Sequence, residues 1–504
     1  LMTDYVIGLD IGTTSTIGIL IALPDRVLAQ AQRPVTLSSP EQGWAEENPE
    51  EWWRNCCEII PELLDQGGVK ASEVKGIGVA GMLPAVILLD ETGQVLRPSI
   101  QQSDGRSGAE VAELAAEIDE DEFLARAGNG INQQLLATKL RWIEKHEPEV
   151  FGRIATVMGS YDYINYRLTG ERAVEQNWAL EAGFVNLASH ELDDDLIALA
   201  HIPRSAIPVK RASHEVMGHV SAAAAAATGL PEGIAVIGGA ADHIASGYAA
   251  GVTRPGDILL KFGGAADVLV ASDKPQPDAR MFLDYHLVPG MFMPNGCMAS
   301  GGSALNWFVA HLAQGEAARA DAAGISLHQH LDVIAAQTPA GADGVQIIPY
   351  FLGEKTPIHD AQARGVIHGL SLNHDLRHMW RALLEGFAYA FRHHVEVFRD
   401  MGHPSTRFLA SDGGARSRFW MQICADVLQQ PVQLLHGHPG SCLGAAYMAA
   451  VGAGLTDDFS GVSNFISQGD VIAPDPANAA IYDSGYRRFR ATYDAMVAAR
   501  GRAA

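Results

Sequence analysis

The feature that most constrains this chain is a device used twice: two short apolar strands joined by a turn of small residues. The first copy is residues 6–21, VIGLDIGTTSTIGILI. Its flanking runs are rich in Val and Ile and too short for a helix with its caps. Between them lie Asp10, Gly12, Thr13, Thr14, Ser15 and Thr16. Gly12 permits a sharp turn that exposes backbone N–H groups, and the hydroxyls beside it add donors, a composition suited to phosphate oxygens. Alone, the stretch reads equally well as an ordinary β-hairpin. The second copy shifts the balance. Residues 258–271, ILLKFGGAADVLVA, repeat the strand–turn–strand pattern with Gly263 and Gly264 at the bend. Two such hairpins in separate halves suggest two related domains facing one nucleotide. The first carries Asp10 at the end of its leading strand and the second carries Phe262 there, so a metal-side carboxylate is expected in the N-terminal half.

The chain has 504 residues, too many for one ordinary core, and is divided here into domains at 1–247 and 248–504. Its net charge, 36 − 59 = −23, argues against nucleic acid or an anionic membrane as partner. It does not exclude ATP, which can be held by backbone N–H groups and Mg²⁺. Cys56, Cys57, Cys297, Cys424 and Cys442 form no CxxC pair and read as reduced thiols of a cytosolic protein. No basic segment followed by an apolar one opens the chain, and no stretch is long enough to span a bilayer, so a cytoplasmic location is expected. Leu1 ahead of Met2 reads as an addition before the natural start.

Other candidates come from loops and strand ends. In residues 234–251, IAVIGGAADHIASGYAAG, a buried strand runs through Gly238 and Gly239 to Asp242 and His243 and then into a small-residue helix. Asp242 at a helix N-terminus is favoured in its ionised form. An N-cap would explain it, but the small residues around it suggest close packing at a functional junction, and catalysis is preferred. Asp104 and Arg106 stand outside any apolar pattern, either as a solvated ion pair or as a polar ligand site. Gly413 and Gly414 end a strand in FLASDGGARSRFW (408–420), where exposed amides would suit a nucleotide. Residues 43–64 hold a helix start, with Asn48 as N-cap, Pro49 at N1, Glu51 placed to close a capping box, and Trp52 and Trp53 facing the core.

Taken in order, GLDIGTTSTIGIL, GWAEENPEEWW, LLDETGQVLRPSIQQSDGRSGAE, YDYINYRLTGE, GGAADHIASGYAAG, KFGGAAD, YFLGEKTP, ALLEGFAYAFR, SDGGARSRFWMQICADVLQQPV and LGAAYMA resemble the FGGY carbohydrate kinases of the actin-like ATPase superfamily, with a texture nearest the xylulose kinases. The resemblance spans nearly the whole chain. It implies an α/β fold of two actin-like (ribonuclease H-like) domains, each a mixed sheet flanked by helices, with an active-site cleft between them. The sugar would lie on the N-terminal side and ATP on the C-terminal side. It implies that Asp242 is the base and Asp10 the Mg²⁺-side carboxylate. Gly12, Thr13 and Thr14 would form a first phosphate loop and Gly263 and Gly264 a second, with Gly413, Gly414 and Ser417 at the nucleoside. Asp104 falls at a sugar-proximal position.

The chain departs from the xylulose-kinase pattern at three places. Met82-Leu83-Pro84-Ala85 replaces Gln-Met-His-Gly, His243 replaces the Asn after the base, and Gly263-Gly264-Ala265 lacks the usual Thr-Ser. Leu83 and Pro84 cannot hydrogen-bond a sugar, which predicts that a related pentulose or shorter polyol outruns D-xylulose, with His243 as a compensating donor. The expected activity is therefore ATP- and Mg²⁺-dependent phosphorylation of a small sugar, a pentulose such as xylulose. Ribulose, xylitol, erythritol and glycerol are alternatives, and an actin- or chaperone-like conformational ATPase is the non-kinase rival. Expected partners are the sugar or polyol and ATP, without nucleic acid or membrane, and a homodimer is left open.

Overall fold

A computed structural model describes residues 4–502, so Leu1 and Met2 lie outside the described residues. Two mixed sheets organise the chain. In chain order their strands are β1 (Tyr5–Ile11), β2 (Ser15–Ala22), β3 (Arg26–Pro34), β4 (Val74–Gly81), β5 (Val216–His219), β6 (Ala235–Ile237), β7 (Asp257–Phe262), β8 (Ala266–Val270), β9 (Asn295–Met298), β10 (Arg407–Ser411), β11 (Val432–His436) and β12 (Ser467–Ile472). The helices that bear on the sites are α1 (Pro49–Gly67), α2 (Gln176–Glu181), α3 (Asp242–Ala249), α4 (Gly302–Leu312), α5 (Leu327–Ala335), α6 (Leu376–Asp400), α7 (Arg418–Leu428) and α8 (Ser441–Gly452).

One compact unit takes Leu1–Thr253, Asp273–Met293 and Pro439–Ile466. Its sheet runs β5-β6-β4-β1-β2-β3. The hairpin of β1 and β2 is antiparallel, with Ile11 opposite Thr16, and β1 lies parallel to β4. Val6, Ile7, Leu9 and Ile11 have no exposed surface. A strand covered on both faces carries a near-continuous apolar run, as β1 does. Helix α8 explains the glycines. A Cβ on Gly8 of β1 would collide with the carbonyl of Cys442, and one on Gly78 of β4 with that of Ala445. The small residues of α8 and the strand glycines are thus two halves of one close helix-on-sheet contact. That contact draws residues 439–466 into this unit, although they lie far beyond the chain position, near 247, at which the sequence was divided.

The other unit takes Arg254–Ser272, Pro294–His438 and Ser467–Ala504. Its sheet runs β9-β8-β7-β10-β11-β12. Here β7 and β8 form the second hairpin, with Phe262 opposite Ala266, and β7 lies parallel to β10. Both sheets share one plan: an antiparallel meander of three strands, two parallel strands on the other side of the first, and an antiparallel edge.

Helix α1 begins as the sequence predicts, with the Asn48 side chain accepting from Glu50 N at 3.0 Å and Trp52 and Trp53 buried. Glu51 does not close the capping box. Its carboxylate takes Thr36 N and Thr36 Oγ1 (3.0 and 3.1 Å), just past the end of β3, and so pins that loop to the helix. The five cysteines are free thiols, and no helix among the described residues is long and apolar enough to cross a membrane.

Candidate active site

In the first unit the candidate residues issue from one edge of the sheet. Asp10 of β1 is in register with Ala80 of β4, and Ile11 with Gly81. The short strand Ala240–Ala241 also pairs with β4, Ala241 opposite Gly81. The carboxyl ends of three neighbouring strands therefore lie side by side, the usual place for a ligand in an open α/β sheet. Asp10, the Met82–Leu83–Pro84 loop and Asp242 all leave from there. At the first turn Gly12 N donates to Ser15 O (3.0 Å), Thr13 is half-buried and Thr14 exposed. The 82–85 loop is fixed by Ser160 Oγ to Met82 O (2.8 Å) and Trp178 Nε1 to Ala85 O (3.0 Å). Leu83 is only 5% exposed and Pro84 is buried, so the pair presents little surface to a ligand.

Asp242 opens α3, with its side chain 38% exposed. Its Oδ1 accepts from His243 N at 2.6 Å and lies 3.3 Å from His243 Nδ1. The other ring nitrogen, Nε2, stands 3.0 Å from Asp284 Oδ2 and 3.6 Å from Glu181 Oε1. Burial pulls the imidazole down, but the bonds to Asp242 and Asp284, with the nearby charge of Glu181, hold its pKa well above the ordinary value. Burial and the neighbouring Asp284 push the Glu181 carboxyl well up. Since both ring nitrogens face carboxylates, the sugar-facing donor expected of His243 is already engaged. Glu181, His243 and Asp284 offer three donor atoms within 4.8 Å of one another. The nitrogen among them already meets two carboxylates, and a mixed N/O set does not suit Mg²⁺, which takes oxygen. Sequence reasoning missed Glu181 and Asp284, because nothing local marks them. Asp284 reaches this edge only because residues 273–293 return to the first unit.

Asp104 and Arg106 form neither a solvated pair nor an open ligand site, since both side chains are fully buried. Asp104 Oδ2 accepts from Ala45 N (2.6 Å) and Arg106 Nη2 (2.8 Å), and Oδ1 from Arg106 N (3.0 Å) and Nε (2.9 Å). Arg106 also donates to Glu46 (2.8 Å) and lies 3.8 Å over the Trp44 ring. Burial would raise the Asp104 pKa, yet the bonds from Arg106 and Ala45 hold it below the ordinary value. Both Asp104 oxygens are thus engaged within the protein, and the side chain has no exposed surface.

In the second unit the predicted nucleotide residues converge. Gly263 and Gly264 follow β7, and their carbonyls accept from Gly302 N (2.8 Å) and Ser303 N (3.1 Å) at the start of α4. Gly413 and Gly414 follow β10 after Asp412, whose φ of 73° is strained for a residue with a side chain. Ser417 caps α7, accepting from Trp420 N (3.0 Å) and donating to Asp332 of α5 (2.6 Å). All five residues line one cavity of about 580 Å³, together with Phe262, Asn306, Asp332, Trp380 and Trp420. Its size is that of a small-molecule site, and its glycine edges let a ligand approach backbone closely. Asn306, Asp332 and Trp380 carry no signal in the sequence, since each sits in an ordinary helical pattern.

Residues 5–248 match the N-terminal domain of the FGGY family of carbohydrate kinases, and residues 261–453 match its C-terminal domain. The chain belongs to the FGGY family of carbohydrate kinases. This FGGY kinase is 59% identical to the solved xylulose kinase from Rhodospirillum rubrum, with a TM-score of 0.93 over 98% of this chain and 99% of that one. It is 28% identical to the xylulose kinase of Bacillus subtilis over 97% of this chain and 96% of the relative. It is also 29% identical to the gluconokinase of Bacillus subtilis, over 92% and 91%. It is therefore an enzyme, a carbohydrate kinase of xylulose-kinase type, and the rival reading as a conformational ATPase falls.

Proposed function

We propose that this FGGY kinase transfers the terminal phosphoryl group of ATP to a hydroxyl of a pentulose, xylulose foremost, with Asp242 as the base. The observation that carries this is the position of Asp242 at the carboxyl-end edge, across β4 from the strand end that carries Asp10, with Oδ1 held by His243 and no hydrogen bond to Oδ2 among the described residues. In an in-line transfer the acceptor oxygen bonds to the γ-phosphorus as the bond to the ADP oxygen breaks, and the hydroxyl proton passes to Asp242. Such a base contributes roughly 10²–10⁴ in rate, the rest coming from positioning and charge stabilisation.

The first unit, with residues 273–293 and 439–466, would supply the sugar side and the second unit the nucleotide side. The cavity flanked by Gly263, Gly264, Gly413, Gly414 and Ser417 supports the second assignment. The Gly12–Thr13–Thr14 turn would add donors for phosphate oxygens. Asp10 is a half-buried carboxylate at a strand end, a hard oxygen ligand of the kind Mg²⁺ takes beside phosphates and water. When bound there, the ion would neutralise charge on the phosphate oxygens. Asp10→Ala is expected to move the Mg²⁺ titration of turnover to higher concentration, and an unchanged curve would remove that role. The free thiols are in keeping with a cytoplasmic enzyme.

Xylulose is preferred over ribulose, xylitol, erythritol and glycerol because the Leu83–Pro84 wall that argued against it is almost sealed, whereas the xylulose-kinase relatives span nearly the whole chain. A coupled assay with ATP across these acceptors, D- and L-isomers included, tests the reading. D-xylulose leading in kcat/KM is the expected result. A tenfold lead for another acceptor, about 1.4 kcal/mol in transition-state binding, would overturn the sugar assignment and leave the kinase intact.

A further inference from the structure

The surroundings of His243 are more elaborate than a sugar contact requires. A neutral imidazole has one N–H, yet both ring nitrogens here face carboxylate oxygens, Nδ1 toward Asp242 Oδ1 (3.3 Å) and Nε2 toward Asp284 Oδ2 (3.0 Å). Only the imidazolium donates to both. Asp284 itself is held with care. Asn129 takes Leu283 on one side, Oδ1 from Leu283 N (2.9 Å) and Nδ2 to Leu283 O (2.8 Å). Asn177 of α2 takes Tyr285 on the other, Oδ1 from Tyr285 N (2.7 Å) and Nδ2 to Tyr285 O (2.9 Å). Two side-chain amides thus clamp the backbone on either side of one buried carboxylate. Glu181, the last residue of α2, closes the group from below.

We propose that Asp284, seconded by Glu181, is a positioning residue that fixes His243 as an imidazolium against Oδ1 of Asp242, so that Oδ2 is the oxygen presented to the acceptor hydroxyl. The inference rests on Asp242 being the base. Asp284 sets the ring's orientation and charge, and the ring sets the base. The positive ring lies against Oδ1 of Asp242, so a negative charge on that carboxylate has its partner on the side away from Oδ2. The groups facing the ring are Asp242 from its own helix, Glu181 from α2 and Asp284 from the returning segment. Tyr161, within the field of Glu181, is kept neutral by burial. The charge on Glu181 is suppressed by burial beside Asp284, so Asp284 is the main counter-charge on the Nε2 side. As pH rises the ring loses its second proton, Nδ1 ceases to donate, and the alkaline limb of kcat should report that loss.

The test compares pH profiles of kcat for wild type, Asp284→Asn and His243→Asn, with Asp242→Asn as control and xylulose and ATP as substrates. In Asp284→Asn the loss of an opposite charge should move the alkaline limb down by about one to three pH units, lower kcat near neutrality and leave the KM for ATP within about twofold. In His243→Asn, which has nothing to titrate, that limb should vanish. If Asp242→Asn is inactive and both other variants keep the wild-type profile with only a lower Tm, the positioning role is overturned and the base stands. If Asp242→Asn retains turnover, it is the base assignment that fails. Should Asp284→Asn not fold, the profile of His243→Asn decides by itself.

Discussion

The two sheets of this kinase share a strand plan and differ at their carboxyl-end edges. In the first unit the edge is charged. Asp10 is second to last in β1, Asp242 follows a strand end on the other side of β4, and His243 stands among Asp242, Asp284 and Glu181. In the second unit the edge is glycine and aromatic surface: Gly263 and Gly264 after β7, Gly413 and Gly414 after β10, and Phe262, Trp380 and Trp420 in the cavity wall. Counted back from the turn, Phe262 matches Ile11, and the residue in the place of Asp10 is Lys261 and not Phe262 as the sequence suggests, so opposite charges occupy the matching places of the two leading strands. One scaffold thus presents a charged edge in one unit and a glycine-lined cavity in the other because the strand ends, and not the strand plan, differ.

Asp242→Asn is the hardest test of the charged edge. It removes the proposed base at constant shape, and kcat should fall by roughly 10²–10⁴ with nucleotide binding retained. Wild-type turnover would dismiss the role.

The next largest effect is on stability. Arg106→Ala leaves the buried Asp104 without its bonded cation, while Glu46 keeps Arg97 at 2.6 Å, and breaking such a buried pair costs about 3–5 kcal/mol. Denaturant unfolding should show it, and a loss under 1 kcal/mol would mean the network matters little. The pH dependence has a definite sign. Asp104 lies below the ordinary 3.8 in the native state, so its contribution is complete above that value and lost as pH falls through the depressed one. The stability gap between wild type and Arg106→Ala should therefore narrow as pH falls through that depressed value.

The glycine edge gives a paired prediction of smaller size. A Cβ on Gly414 would lie 2.6 Å from Trp420 and 2.7 Å from Phe262, whereas one on Gly413 meets nothing within 4 Å. Overpacking of this kind costs about 1–3 kcal/mol. Gly414→Ala should lower stability and weaken ATP binding, Gly413→Ala should weaken ATP binding with stability kept, and wild-type ATP affinity in both would detach the cavity from the nucleotide.

The hairpins, the helix start at Asn48 and the strand-to-helix placement of Asp242 were legible because each is a local matter of period, cap and turn residue. Three things were not. The capping-box reading of Glu51 failed because Thr36, fifteen residues upstream, competes for the same carboxylate. Asp104 and Arg106 read as either a solvated pair or a polar ligand site because no apolar pattern surrounds them, yet Trp44 and Glu46 from a distant loop cover them. Glu181 and Asp284 were invisible because their meaning lies in a chain return that no local pattern encodes.

The central claim is a division of labour, with the acceptor and its base on the first unit and the nucleotide on the second. Titration calorimetry of ATP and of D-xylulose, each against Asp242→Asn and Gly414→Ala, tests it most directly. Asp242→Asn should bind ATP as wild type does with turnover lost, and Gly414→Ala should bind the sugar as wild type does with ATP affinity reduced. Either variant losing affinity for the ligand assigned to the other unit, while remaining folded, would contradict it.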